Sequence, residues 1–183
     1  MNLRFSHFAL FSCVLLFSCS HKNFEKIDNG IVVNIPQKSE LDVNKVKLEV
    51  LGDKLIKVSA TPEYKFSDRK SLICSLVGEN IPFSVEENDS LVSLATSQIK
   101  ASVNKTTGQV KFFDKEGHPI LVENNGGGKE FTPIEVEGKK GYTIRQLFES
   151  PVDEAFYGLG QHQSDEFNYK GKNEELYQYN TKV

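Results

Sequence analysis

Apolar and polar residues alternate with a period of two over much of the chain after residue 30, a pattern typical of half-buried β-strands. In the clearest case, two alternating runs, residues 46–50 and 55–59, flank the turn-forming Gly52 and Asp53. Two such runs joined by a short turn predict a β-hairpin. The same alternation predicts further strands over residues 31–35, 83–86, 91–95, 99–103, 109–113, 119–122, 142–148 and 155–157.

Turns and loops separate these strands. Asn and Asp within residues 87–90 can adopt left-handed backbone angles and predict a turn there; glycine-ended segments predict turns at 105–108 and 114–117. Residues 124–129 contain three consecutive glycines, which predict a loop because glycine loses the most backbone entropy in a regular element. A phosphate-binding loop is disfavoured here. Such a loop needs a helix directly after it, and residues 130–133 do not have the pattern of a helix start. About nine short strands with almost no helical periodicity predict an all-β fold, an antiparallel β-sandwich.

The N-terminus has the pattern of an export signal. Arg4 precedes an apolar run over residues 8–17 that is too short to span a bilayer and has the length of a signal-peptide core. The run ends at Leu16-Phe-Ser-Cys19, which resembles a bacterial lipobox, so we predict a signal peptide over 1–18 and lipidation of Cys19. An ordinary cleaved signal peptide and a buried N-terminal segment are the alternatives.

This signal determines the predicted organisation and location of the protein. Residues 19–29 form a polar tether, and residues 30–183 form one sandwich domain. A lipid at Cys19 would anchor the protein in the outer or inner membrane of a bacterial cell envelope, facing the periplasm or the cell surface. Cys74 then has no partner for a disulfide, and its apolar neighbours indicate a buried, unreactive thiol.

Charge and ligand spacing exclude several kinds of function. The chain has 22 Lys and Arg against 25 Asp and Glu, and the two signs are interspersed, so no nucleic-acid partner is predicted. His118 and His162 stand apart and no paired His or Cys motif occurs, so neither a metal site nor a cofactor is predicted. The adjacent acidic pairs near the C-terminus indicate a solvated surface rather than catalytic carboxylates.

The C-terminal thirty residues combine the side chains of a sugar-binding loop. Glycines at 158 and 160 allow a sharp turn, after which amides and a histidine could bond sugar hydroxyls while aromatic rings stack on the sugar's apolar face. The hydrogen-bonding candidates are Gln161, His162, Gln163, Asn168 and Gln178, and the stacking candidates are Phe167, Tyr169, Tyr177 and Tyr179. In the alternative interpretation, the aromatics seal one end of the core and the amides bond loop backbone.

The same residues resemble glycoside hydrolase family 31, the α-xylosidase and α-glucosidase family. The resemblance is carried by YTIRQLFE at 142–149, DEAFYGLGQHQ at 153–163, NYKG at 168–171 and LYQYN at 176–180. The run KVKLEVLGDKLIKV at 45–58 is similar to the family's opening hairpin. The likeness therefore extends from about residue 32 to the end of the chain.

The resemblance implies a galactose-mutarotase-like N-terminal sandwich that is followed by a (β/α)8 barrel. The barrel would carry the two aspartates of a retaining exo-α-glycosidase that hydrolyses terminal α-linked sugars from oligosaccharides. Neither aspartate maps onto this chain, which looks like an incomplete sandwich without catalytic residues. The candidate substrate-binding residues are His162, Gln163, Asn168 and Tyr169, and the implied partners are an oligosaccharide and the missing barrel. A non-catalytic glycan-binding surface lipoprotein and a purely structural sandwich are the alternatives.

Overall fold

The computed structural model describes residues 23–69, 80–158 and 165–175, and within these ranges it contains eleven β-strands and no helix. The first four strands form an antiparallel sheet in sequence order. They are β1 (Phe24–Ile27), β2 (Gly30–Asn34), β3 (Lys45–Gly52) and β4 (Leu55–Thr61). The pair β3 and β4 confirms the hairpin predicted on either side of Gly52 and Asp53.

The next five strands form a second antiparallel sheet, also in sequence order. These strands are β5 (Ser84–Glu87), β6 (Leu91–Ala95), β7 (Ile99–Asn104), β8 (Val110–Asp114) and β9 (Pro119–Val122). A separate hairpin follows, made of β10 (Lys129–Val136) and β11 (Lys139–Gln146). The all-β antiparallel fold predicted from the alternation is therefore confirmed.

The two larger sheets enclose a single apolar core. Val46, Leu48 and Val50 alternate with half-buried residues on β3, and Val92 and Leu94 do the same on β6. Side chains from both sheets join one buried cluster. Burying a valine or leucine side chain stabilises a fold by about 1.5–3 kcal/mol, so this alternation is the main source of stability of the sandwich.

Side chains as well as glycines form the turns. The side-chain oxygen of Asn88 accepts hydrogen bonds from the backbone N–H of Ser90 at 2.9 Å and of Leu91 at 2.8 Å, which closes the predicted turn between β5 and β6. The turn forms without a left-handed residue, because among the described non-glycine residues positive φ occurs at Glu137. An Asx turn needs no left-handed residue.

The sandwich begins earlier than the sequence predicted. Residues 24–27 of the predicted tether form β1, which pairs with β2. Phe24 packs against the core. Two apolar residues in four give too short a pattern to indicate a strand, so this strand depends on its tertiary contacts. The remaining tether residues that are described are Asn23, Asp28 and Asn29.

Two other differences lie in the second half of the chain. The strand β10 was not predicted, because it contains Pro133 and follows the glycine loop; Pro133 lies opposite Tyr142 in the hairpin. The strand predicted over 155–157 is wrong. There, Phe156 N–H donates to the Asn168 side chain at 3.0 Å, and Phe156 C=O accepts from Tyr169 N–H at 2.8 Å. Phe156 is therefore hydrogen-bonded to the loop that contains Asn168 and Tyr169, and not to a neighbouring strand.

Candidate functional site

Asn168 holds two loops together at the predicted substrate-binding segment. Its Oδ1 accepts hydrogen bonds from the backbone N–H of Phe156 and of Lys170, both at 3.0 Å. The side chain reaches back across twelve residues, a contact that the sequence spacing alone could not show. Asn168 is also solvent-exposed. Its Oδ1 holds the backbone of the two loops in place while the residue remains accessible to solvent.

Tyr169 lies at the same junction but is buried, with 8% of its surface exposed. Its N–H donates to Phe156 C=O, and its own C=O accepts from Lys172 N–H at 3.0 Å. The structure thus brings Asn168 and Tyr169 together against Phe156. The other two candidate substrate-binding residues, His162 and Gln163, lie outside the described residues, as do Cys19 and Cys74.

Two aromatic rings are exposed beside this junction. The ring centroids of Tyr157 and Phe167 are 4.8 Å apart and the rings are tilted by 48°. Phe167 is 80% exposed. Exposed aromatic faces can stack on the apolar face of a sugar ring. Phe167 was a sequence-based stacking candidate, whereas Tyr157 was not, because it was assigned to a strand.

A buried ion pair lies under the β10–β11 hairpin and was not predicted. Lys129 Nζ hydrogen-bonds to Glu123 Oε2, which also accepts from Val110 N–H at 2.7 Å. Lys129 Nζ donates in addition to Gly108 C=O at 3.2 Å. Gln109 Nε2 donates to Glu123 C=O at 2.7 Å. The pair therefore connects the glycine loop to β8 and to the start of β10.

Burial governs the ionisation of this pair. Desolvation raises the pKa of Glu123, although Lys129 and the hydrogen bond from Val110 oppose the increase. Desolvation likewise lowers the pKa of Lys129 against the attraction of Glu123. Perturbed pKa values occur at functional sites but also at structural ion pairs. The pair lies at the wall of a cavity of about 300 Å³, but its hydrogen bonds with Val110 N–H and Gly108 C=O tie it to the neighbouring backbone, which indicates a structural role.

A cleft of about 450 Å³ lies on the outer part of the hairpin. There, Tyr142 OH donates to Glu63 Oε1 at 3.0 Å, and the Glu63 carboxylate raises the pKa of Tyr142. Among the described residues, no group of three or more His, Cys, Asp or Glu side chains could hold a metal ion. The same part of the chain contains no helix long and apolar enough to cross a membrane.

Comparison with known proteins identifies the family. The model of the glycosyl hydrolase 31 N-terminal galactose mutarotase-like domain matches residues 45–182. The chain belongs to glycoside hydrolase family 31. The eleven strands among the described residues pair antiparallel, in agreement with the all-β N-terminal domain of that family, and the resemblance inferred from the C-terminal segment is confirmed.

Solved structures of other enzymes share the fold. The α-xylosidase of Xanthomonas citri is 40% identical over 85% of this chain, with a TM-score of 0.76. An α-xylosidase from a soil metagenome, solved with xylose, is 24% identical over 81% of the chain with a TM-score of 0.64. The Listeria monocytogenes cycloalternan-forming enzyme, solved with a pentasaccharide, is 21% identical over 87% with a TM-score of 0.68. The chain spans only 16%, 24% and 14% of these three chains, respectively.

Proposed function

We propose that this chain is the N-terminal part of an exported, retaining exo-α-glycosidase, an α-xylosidase or an α-glucosidase, which removes terminal α-linked sugars from oligosaccharides. The observation that supports this most is the 40% identity to the Xanthomonas citri α-xylosidase over 85% of the chain. The described residues contain antiparallel sheets and no barrel. Bond cleavage would therefore depend on a (β/α)8 barrel elsewhere in the same polypeptide.

In this proposal the 183-residue chain contributes to the substrate pocket but not to the chemistry. A retaining glycosidase needs two carboxylates about 5–5.5 Å apart across the scissile bond. We assign neither to this chain. The proposed contributors are His162, Gln163, Asn168 and Tyr169, which would border the sugar. Asn168 supports this assignment because it is exposed and its side chain is held in place by hydrogen bonds that its Oδ1 accepts from Phe156 N–H and Lys170 N–H.

The test is hydrolysis of 4-nitrophenyl α-xyloside and α-glucoside by the full-length protein. We expect turnover of at least one of them, and no turnover by residues 23–183 expressed alone. The substrate with the higher kcat/KM then identifies the sugar at the reacting position. If the full-length protein binds oligosaccharide but hydrolyses neither compound nor any α-linked disaccharide, the protein is a glycan-binding lipoprotein and the enzymatic proposal is wrong.

We also propose that the mature protein is anchored to a bacterial membrane by a lipid on Cys19. The support is the sequence before that residue, a charged start, a short apolar run and Leu16-Phe-Ser-Cys. Mass spectrometry of the N-terminal peptide from the membrane fraction should find an acylated cysteine, and Cys19→Ala should release the protein from the membrane. An unmodified mature N-terminus in the soluble periplasm would contradict the anchor.

A further inference from the structure

The start of β1 limits the distance between the first sheet and the proposed lipid anchor. Asn34 N–H donates to Asn23 C=O at 2.8 Å, so the chain joins this sheet at Asn23. Asn23 is four positions after Cys19 in the sequence. Because an extended chain spans at most about 3.6 Å per residue, Asn23 lies within about 14 Å of the cysteine that would carry the lipid.

Asn23 lies at one end of the first sheet, which we call the anchor end. Asn34 pairs with Lys45, and Lys45 pairs with Thr61, so a single row of residues crosses the sheet at this end. The strand β3 has eight residues and rises about 3.3 Å per residue, so the opposite end of the sheet is roughly 25 Å away. If that opposite end touched the membrane, Asn23 would be beyond the reach of a lipid on Cys19. The anchor end is therefore held close to the membrane surface.

Three segments meet at the anchor end and are joined by hydrogen bonds. The first is the loop between β2 and β3, the second follows β4, and the third is the outer part of the β10–β11 hairpin. Gln37 Nε2 in the first segment donates to Pro62 C=O in the second at 2.7 Å. Tyr142 OH in the third donates to Glu63 Oε1 in the second at 3.0 Å. The three segments therefore form one connected surface.

Each of these segments carries an exposed apolar side chain. Leu41 in the first is 40% exposed and Tyr64 in the second is 80% exposed. Ile134 and Val136 in the third are 46% and 58% exposed, and they share one face of β10 because they are two positions apart. Single exposed apolar residues are ordinary, but a group of them on adjoining segments indicates an interaction surface. We call these four residues the apolar loop surface.

The charges around the apolar loop surface fit a lipid surface better than a strongly charged partner. The same segments carry exposed lysines interspersed with exposed glutamates, which are Lys38, Lys65, Lys139 and Lys140 with Glu40, Glu63, Glu135 and Glu137. The two signs offset each other, so no strong field selects an acidic or a basic protein. Lysine can lay its apolar stem along lipid while its ammonium group stays in the headgroup layer. Tyrosine is favoured at the same depth.

We infer that the apolar loop surface contacts the membrane that holds the Cys19 lipid and inserts its apolar side chains into the headgroup layer. This inference rests on the proposed lipid anchor for the nearness of the membrane. It adds a second contact, made by protein side chains, which fixes the orientation of the sandwich relative to the bilayer. The end of the first sheet that begins with Leu55 would then face away from the membrane.

Fluorescence quenching by nitroxide lipids tests the inference on the full-length protein, purified from membranes and reconstituted into phosphatidylcholine vesicles. Cysteines other than Cys19 are replaced by serine, and Val136→Cys or Leu55→Cys carries an environment-sensitive fluorophore. Leu55 is the matched control, because it is an apolar residue, 44% exposed, at the opposite end of the first sheet. We expect a nitroxide near the headgroups to lower emission at Val136 by about twofold or more and emission at Leu55 only slightly. Equal quenching at the two positions would overturn the inference.

A second set of variants tests the apolar side chains themselves, with the fluorophore at Tyr64→Cys. The double change Ile134→Asp, Val136→Asp places two carboxylates on the apolar loop surface, whereas the control Leu55→Asp places one at the opposite end of the sheet. We expect the double change to reduce quenching at position 64 by about twofold or more and the control to leave it unchanged. Thermal denaturation confirms that both variants are folded. Quenching that survives the double change would contradict the inference.

Two further outcomes separate this inference from its alternatives. A label at Val136 that is shielded from water but not quenched by the nitroxide lipid would mean that protein covers the apolar loop surface, and the inference would be wrong. Mass spectrometry of the Cys19 peptide is made on the same samples. An acylated Cys19 without quenching at Val136 would leave the anchor standing and overturn the inference. If Cys19 is not acylated, the anchor is wrong, and quenching of the unacylated protein mixed with the same vesicles decides whether the contact stands or is overturned as well.

Discussion

Lys129 is hydrogen-bonded through its ammonium group to the carboxylate of Glu123, and the two side chains are only 4% and 6% exposed. The charges are removed from water in a chain whose other described ion pairs are more exposed. Their attraction offsets part of the cost of burial, but desolvation still dominates the pKa of both groups. The arrangement is favourable mainly because each partner prevents the other from being an unpaired buried charge.

Replacing one member of this pair should be much more damaging than replacing both. Lys129→Met leaves a buried carboxylate without its cation and should lower the free energy of unfolding by about 3–5 kcal/mol. In the double variant Glu123→Gln, Lys129→Met, the new amide can still accept from Val110 N–H and no buried charge is left without a partner. The double variant should therefore recover most of the loss in urea denaturation.

The exposed pair Arg145–Glu130 is the matched control, since its side chains are 68% and 53% exposed. Arg145→Met should leave the free energy of unfolding close to that of the unaltered chain, because exposed ion pairs contribute little. Equal decreases in the free energy of unfolding in Lys129→Met and Arg145→Met would show that the decrease in Lys129→Met does not arise from the burial of the Glu123–Lys129 pair.

The raised pKa of Glu123 should make its contribution to stability depend on pH. A carboxyl whose pKa is higher in the folded state than the ordinary value of 4.5 binds its proton more tightly when folded. The resulting stabilisation is fully present below the unfolded pKa and is lost as pH rises through the folded pKa. The free energy of unfolding, measured relative to Glu123→Gln, should therefore fall as pH rises through that window.

Two measurements check this pH dependence. Urea denaturation at a series of pH values gives the difference between the unaltered protein and Glu123→Gln, and the side-chain carbonyl resonance of Glu123 gives its pKa directly. A resonance that titrates below 4.5, or a difference in stability that grows as pH rises from 4 to 7, would contradict the prediction.

The elements that could be predicted from the sequence are those whose pattern is local. The β3–β4 hairpin combines two alternating runs with Gly52 and Asp53 between them, so propensity and pattern agree. β1 and β10 lack that agreement. The first is four residues long, and the second contains Pro133, which is tolerated because its nitrogen faces away from β11.

The candidate site was predictable to a smaller extent. Asn168 was predicted as a candidate because of its amide. Its hydrogen bond with Phe156 N–H was not predicted, because Phe156 is twelve residues away in the sequence. Glu123 and Lys129 gave no signal at all. Their burial arises where the glycine loop brings Lys129 back against β8, and neither residue alternates with apolar neighbours in a way that would indicate burial.

Gly30 should not tolerate a side chain. A Cβ there would lie 1.9 Å from Leu48 O, a backbone atom of the neighbouring strand that cannot move without breaking the β2–β3 ladder. Gly30→Ala should lower the free energy of unfolding by more than about 2 kcal/mol. Gly141→Ala in β11 is the control, because nothing lies within 4 Å of its added Cβ. Thermal denaturation of both variants should show a large loss for the first and little change for the second.

Asn168 can be tested for two separate roles. Asn168→Ala removes the acceptor of the Phe156 and Lys170 N–H groups and should cost about 1 kcal/mol, with faster hydrogen exchange in residues 151–158 and 165–175. Asn168→Asp keeps an oxygen that can accept both hydrogen bonds, so the exchange rates should stay close to those of the unaltered protein.

The aspartate variant then separates loop structure from substrate contact. If Asn168 borders the sugar through its amide N–H groups, Asn168→Asp in the full-length protein should lower kcat/KM for an α-glycoside, because a carboxylate cannot donate to a sugar hydroxyl. Hydrogen exchange of the two loops should stay as slow as in the unaltered protein. Unchanged kcat/KM in Asn168→Asp, together with loss of loop protection in Asn168→Ala, would limit Asn168 to a structural role and remove it from the proposed substrate-binding residues.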